Sequence, residues 1–109
     1  MFARTHRFSF KKGAPRLAFS TKLFVIRYDR KKESGLECSV IVGKKVDKRA
    51  VIRNKIKRQT VALIKEIVSL DSPFRLAIYA KRPVLDTERT EMQSDLQKAF
   101  DTIGITKWT

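Results

Sequence analysis

Residues 44–70 read KKVDKRAVIRNKIKRQTVALIKEIVSL. From Ala50 onward, Ile52, Ile56, Leu63, Ile67 and Leu70 fall on one stripe at helical spacing, while Asn54, Arg58 and Lys65 fall on the opposite side with Arg53 and Lys57 at its shoulder. The spacing predicts an amphipathic helix from about Ala50 to Leu70, one face on a core and the other cationic, ended by Ser72 and Pro73. Residues 44–58 hold eight cationic side chains against the single acid Asp47. A Lys and Arg face on a helix is ordinarily solvated surface balanced by acids one turn away. Here the balance is missing, and the unpaired cations repel one another unless a partner supplies negative charge.

Outward from this helix, the pattern on both sides changes to a period of two. Lys22 to Tyr28 (KLFVIRY) and Leu36 to Val42 (LECSVIV) are rich in β-branched and aromatic residues, and the polar Asp29 to Gly35 separates them. The pattern predicts a hairpin of two adjacent antiparallel strands. Beyond the helix, Phe74 to Ala80 (FRLAIYA) predicts a third strand with Phe74, Leu76 and Ile78 turned inward. Asp86 or Thr87 offers an N-cap for a second helix whose apolar face is Met92, Leu96, Phe100 and Ile103, with Gly104 as its stop. The order β, β, α, β, α is that of an α+β fold, a small two-layer α/β sandwich with both helices packed against one sheet. Residues 1–20 interleave Arg4, Arg7, Lys11, Lys12 and Arg16 with Phe2, Phe8, Phe10 and Phe19, and are read as a basic, partly irregular arm of a single domain spanning 1–109.

Charge locates the partner. Residues 1–58 carry 18 Lys or Arg and four acids, and residues 59–109 carry seven of each, so the whole net charge of +14 sits in one half of the chain. Such asymmetry is the footprint of a polyanion, nucleic acid before membrane. With 42% hydrophobic residues the chain is no disordered basic tail. One cysteine, Cys38, excludes an intrachain disulfide within these residues and a cysteine-built metal site; one histidine, His6, argues against a catalytic dyad. No apolar run approaches the length of a membrane span and no apolar signal core is seen, so a cytoplasmic protein with no membrane partner is expected. The acids Asp86, Glu88, Glu91 and Asp95 cluster where a helix begins, and dipole complementation accounts for them without catalysis. Gly43 before Lys44 and Lys45 is too little to name a phosphate loop, and no small-molecule substrate is expected.

The cationic residues suit phosphate and sugar. Arg53 and Arg58 can fork onto phosphate oxygens, Lys55 and Lys57 act as point charges, and Asn54 offers both a donor and an acceptor. Aromatics of the basic half, Phe8, Phe10 and Tyr28, can stack on unpaired bases. The runs Val42-Gly43-Lys44-Lys45-Val46 and Arg49-Ala50-Val51-Ile52-Arg53-Asn54-Lys55-Ile56-Lys57-Arg58 resemble the signature of the bacterial ribonuclease P protein component, Arg-Asn-Arg followed by an apolar residue and Lys-Arg. Ala77 to Pro83 (AIYAKRP) resembles that family's strand ending in a basic pair and proline, and the match spans roughly residues 36 to 104.

The resemblance implies a protein subunit of ribonuclease P, a ribonucleoprotein endoribonuclease that removes the 5′ leader from precursor tRNA. It implies catalysis by the RNA, with Mg²⁺ held mainly by the RNA subunit and substrate, and no catalytic or metal-ligating residue in the protein. It implies a mixed sheet with a left-handed β-α-β crossover, against the usual right-handed preference. By position, Lys44, Lys45, Arg49, Arg53, Asn54, Lys55, Lys57 and Arg58 would bind the ribonuclease P RNA. Phe8, Phe10, Tyr28, Lys81 and Arg82 would line the leader site on the sheet. Lys55 stands where the family usually has its second arginine, keeping the charge without the planar fork. Gly13, Ala14 and Pro15 stand where later turns of the family's first helix would lie. A ribosomal or other structural RNA-binding protein is the alternative that the same charge and fold would serve. A DNA-binding role is disfavoured because no helix immediately precedes the basic one to form a helix-turn-helix.

Overall fold

A computed structural model describes residues 16–105. Four strands form one sheet: β1 (Leu17–Ser20), β2 (Phe24–Arg30), β3 (Glu37–Ile41) and β4 (Phe74–Ala80). Helix α1 (Ala50–Ile67) connects β3 to β4; a 3₁₀ helix (Arg82–Asp86) leads into α2 (Arg89–Ile103). The sheet order is β1-β2-β4-β3. β4 runs antiparallel to β2 and parallel to β3, so β3, α1 and β4 form a β-α-β crossover within a mixed sheet. The four strands and two helices make the expected α+β fold.

The predicted hairpin does not form. β2 and β3 are separated by β4, which takes the place between them. Two features explain the difference. The link between β2 and β3 is a long polar loop, and only a tight turn of two or so residues forces its flanking strands to pair. β4 has Leu76, Ala77 and Ile78 all wholly buried, and it pairs with β2 along one edge and β3 along the other, as a central strand does. β1 lies inside the stretch read as an irregular arm; it is an edge strand, Leu17 pairing Tyr28 and Ser20 pairing Val25, with Leu17 54% exposed. The rest of that arm, with Phe8 and Phe10, lies outside the described residues.

The helices cover one face of the sheet. Phe24, Ile26, Cys38, Val40, Leu76 and Ile78 project from it into a core completed by Ile56, Leu63, Ile64 and Ile67 of α1 and Met92, Leu96 and Phe100 of α2. Thr60, also wholly buried, satisfies its hydroxyl by donating to the Ile56 carbonyl at 2.8 Å. Burial raises the pKa of the Cys38 thiol well above its ordinary value, leaving it a small apolar filler. α1 ends three residues sooner than its periodicity suggests. Val68 caps it in extended conformation and is buried, whereas Leu70, placed on the apolar stripe by spacing, is 40% exposed beyond the helix.

The start of α2 also departs from the sequence reading. Asp86 closes the 3₁₀ helix, and the Thr87 hydroxyl donates to the Pro83 carbonyl at 2.8 Å rather than capping α2; Glu88 is the N-cap and makes no side-chain cap bond. Pro83, at the front of the 3₁₀ turn, has already committed the chain to a tighter coil. The other end is as expected: Gly104 adopts φ 91°, a left-handed conformation that glycine takes without strain, and its N–H and that of Ile105 both donate to Phe100 O at 2.9 Å.

Candidate nucleic-acid interface

The segment between β3 and α1 is fixed at both ends while its cations stay outside. Val46 is buried and its N–H donates to the Gly43 carbonyl at 3.0 Å, which turns the chain so that Lys44 and Lys45 are exposed. Asp47 then accepts from Arg49 three times, from the backbone N–H at 2.8 Å, Nε at 3.1 Å and Nη2 at 2.9 Å. Arg53 Nη1 donates to the carbonyls of Asp47 at 3.1 Å and Lys48 at 2.7 Å. One terminal nitrogen of Arg53, expected for RNA, is thus engaged in holding the loop against the first turns of α1.

These contacts alter the acid at their centre. The Arg49 guanidinium, then its N–H, then the positive fields of Arg49 and Arg53 hold the Asp47 carboxyl down at about 2. A group depressed on folding contributes stability above its unfolded value, near ~4, and loses it as pH falls through the folded value. Following the Asp47 carboxyl carbon by NMR should therefore give a midpoint near 2, and Arg49→Ala should return it toward the ordinary range. An ordinary midpoint in the unaltered protein contradicts the pairing.

Along α1 the exposed residues are Ala50, Val51, Asn54, Lys55, Arg58, Ala62, Lys65 and Glu66, the last paired with Arg89 of α2, with Arg53 and Lys57 half-buried at their margin. Around the loop, Lys44, Lys45, Lys48 and Arg49 share one open concavity with Arg82 and Leu85 of the 3₁₀ helix. A groove between α1 and the 3₁₀ helix continues from it and carries Lys55 beside Asp86. On the other flank, Val51, Asn54, Lys57 and Arg58 line a second shallow concavity. Seven of the eight residues expected to contact RNA line these concavities along the loop and the N-terminal half of α1; the first two concavities share Asp47, Arg49 and Leu85, the third lies apart on the other flank, and Arg53 lines none of them. Lys48 and Arg82 join the first concavity from outside that set. Lys48 was visible as part of the charge run; Arg82 arrives only through the path of the chain after β4.

Of the residues expected at a leader site, the three described ones, Tyr28, Lys81 and Arg82, do not gather. Tyr28 has the parity of Phe24 and Ile26, so it lies on the helix-covered face, half-buried against the core. Lys81 is tied to the β1–β2 connection, its Nζ donating to Ser20 Oγ at 2.6 Å and to the Thr21 carbonyl. Arg82 turns to the basic loop, and Phe8 and Phe10 are outside the described residues. The opposite sheet face instead carries Val25, Arg27, Ser39, Ile41, Ala77 and Tyr79, with Val25, Tyr79 and Ile41 in one cross-strand row. Parity counted from Leu76 and Ile78 was the signal that could have selected Tyr79 over Tyr28. Among the described residues no three His, Cys, Asp or Glu side chains come together as a metal site, and no helix is long and apolar enough to cross a membrane.

A mixed sheet covered on one face by two helices, with a cationic loop leading into the crossover helix, makes this a small basic α+β protein. The family model for ribonuclease P matches residues 3–104, and the chain belongs to that family. It is a protein subunit of ribonuclease P, an endoribonuclease ribonucleoprotein of tRNA processing. The fold is similar to the Staphylococcus aureus RNase P protein, with a TM-score of 0.76 and 20% identity over 94% of this chain and 99% of that one. It is likewise similar to the RNase P protein of Thermotoga maritima, with a TM-score of 0.68 and 14% identity over 84% of this chain and 92% of that one. Comparison with curated proteins gives no significant match.

Proposed function

We propose that the chain binds the catalytic RNA subunit of ribonuclease P through Lys44, Lys45, Arg49, Arg53, Asn54, Lys55, Lys57 and Arg58, joined by Lys48 and Arg82. The observation that supports this reading is the concentration of exposed cations on the loop and the N-terminal half of α1, with Asp47 and Asp86 the acids lining the concavities there. Exposed cations held on a preshaped backbone neutralise phosphates at low ordering cost. The 5′ leader of precursor tRNA lies against the sheet face opposite the helices, where Tyr79 offers a ring for stacking and Arg27 a planar cation. Mg²⁺ is held by the RNA subunit and the substrate, where phosphates supply the oxygens it prefers, and it supplies the charge stabilisation for hydrolysis. The protein's residues bind and orient; the working site of such a particle is the cytoplasm.

Reconstitution tests the reading. The protein freed of RNA should leave precursor tRNA intact, and adding it to a bacterial ribonuclease P RNA should raise leader removal at low magnesium. Cleavage by the RNA-free protein sinks the division of labour. Failure to stimulate the ribozyme, with retained affinity for other structured RNA, favours a structural RNA-binding role instead.

A further inference from the structure

Asp47 is the single acid among the eight cations of residues 44–58. On charge alone it weakens a surface meant for a polyanion, because it repels phosphate. Its contacts point the other way. Two arginines close on the Asp47–Lys48 backbone: Arg49 through the Asp47 carboxylate at 2.8–3.1 Å, and Arg53 through the carbonyls of both residues at 3.1 and 2.7 Å. Val46, buried and turned back on Gly43, anchors the opposite end. Between these anchors stand the exposed Lys44, Lys45 and Lys48, which otherwise repel one another.

We infer that Asp47 is a positioning residue for RNA. It holds the 43–49 loop so that Lys44, Lys45 and Lys48 meet the phosphates in one arrangement, and removing its negative charge weakens RNA binding. The inference rests on the RNA interface proposed above. A loop freed of its clamp must be ordered when RNA binds, and the entropy of fixing several residues opposes association. With the clamp in place that entropy is lost on folding.

The test compares variants that add the same charge by different routes. Asp47→Ala removes every acceptor of the clamp carboxylate. Asp47→Asn keeps an oxygen for the Arg49 N–H but loses the charged pair. Asp86→Asn is the control, since Asp86 is exposed across the groove from Asp47 and takes no part in the loop. Affinity for a bacterial ribonuclease P RNA is measured against salt, with thermal unfolding in parallel. Asp86→Asn should bind as well as wild type or about twofold more tightly, from added attraction alone. Asp47→Ala should bind about tenfold more weakly and Asp47→Asn between the two, because ordering the loop now opposes binding. The salt slope should be unchanged in both Asp47 variants, because their cations remain. Asp47→Asn decides the matter, since it retains the backbone acceptor that shapes the turn. If Asp47→Asn binds as tightly as Asp86→Asn while Lys44→Ala/Lys45→Ala binds more weakly, this inference is overturned and the interface stands. If the double lysine variant binds like wild type, the interface reading fails and takes the inference with it.

Discussion

Replacing Lys44, Lys45 and Arg58 together by alanine is expected to weaken binding to ribonuclease P RNA about a hundredfold near physiological salt, because each lost phosphate contact removes the release of roughly 0.7–0.9 of a counterion. The slope of log affinity against log salt should become shallower by about two to three units, which separates lost contacts from lost structure. All three side chains are exposed and none reaches the core, so the thermal transition should stay where it is. Binding isotherms at several salt concentrations check both quantities. An unchanged slope would show that the RNA docks elsewhere, whatever happens to the affinity.

Tyr79→Ala should lower affinity for leader-bearing tRNA relative to mature tRNA by about five- to a hundredfold in the reconstituted particle, the loss of one stacked base being worth roughly 1–3 kcal/mol. Tyr28→Ala should behave differently. Its ring packs on the helix-covered side, so its removal should lower the unfolding temperature and affect both tRNAs alike. The two tyrosines thus test the faces of the sheet against each other. Equal losses on both substrates for Tyr79→Ala would remove the face opposite the helices as the leader site, leaving the loop and helix assignments untouched.

Much of the candidate site could be read from neighbouring residues. Asn54, Arg58 and Lys65 are outward and Ile56, Leu63 and Ile67 inward as helical spacing requires, because a helix of this length presents its faces by local geometry alone. The eight cations of residues 44–58 lie close together in space because they lie close together in sequence. Arg53 is the exception within that run. Its position on the helix was legible, but its hydrogen bonds to the Asp47 and Lys48 carbonyls depend on how the loop folds back over the first turns.

By itself the sequence determined the central elements, the amphipathic helices and the charge that selects a polyanion, since each depends on periodicity or composition within a short window. Tertiary structure decided which strands touch. Nothing local in Lys22–Tyr28 or Leu36–Val42 says that β4 will lie between them; its central place withdraws Leu76, Ala77 and Ile78 from water, a condition only the assembled sheet satisfies. The same assembly assigned Tyr28 to the helix-covered face and Tyr79 to the opposite one, drew Lys81 to the β1–β2 connection, and brought Arg82 to the basic loop from far along the chain. The physical reason is range: helix faces and charge runs are fixed by the backbone's own repeat, whereas sheet order and the meeting of distant side chains are fixed by which surfaces can be withdrawn from water together.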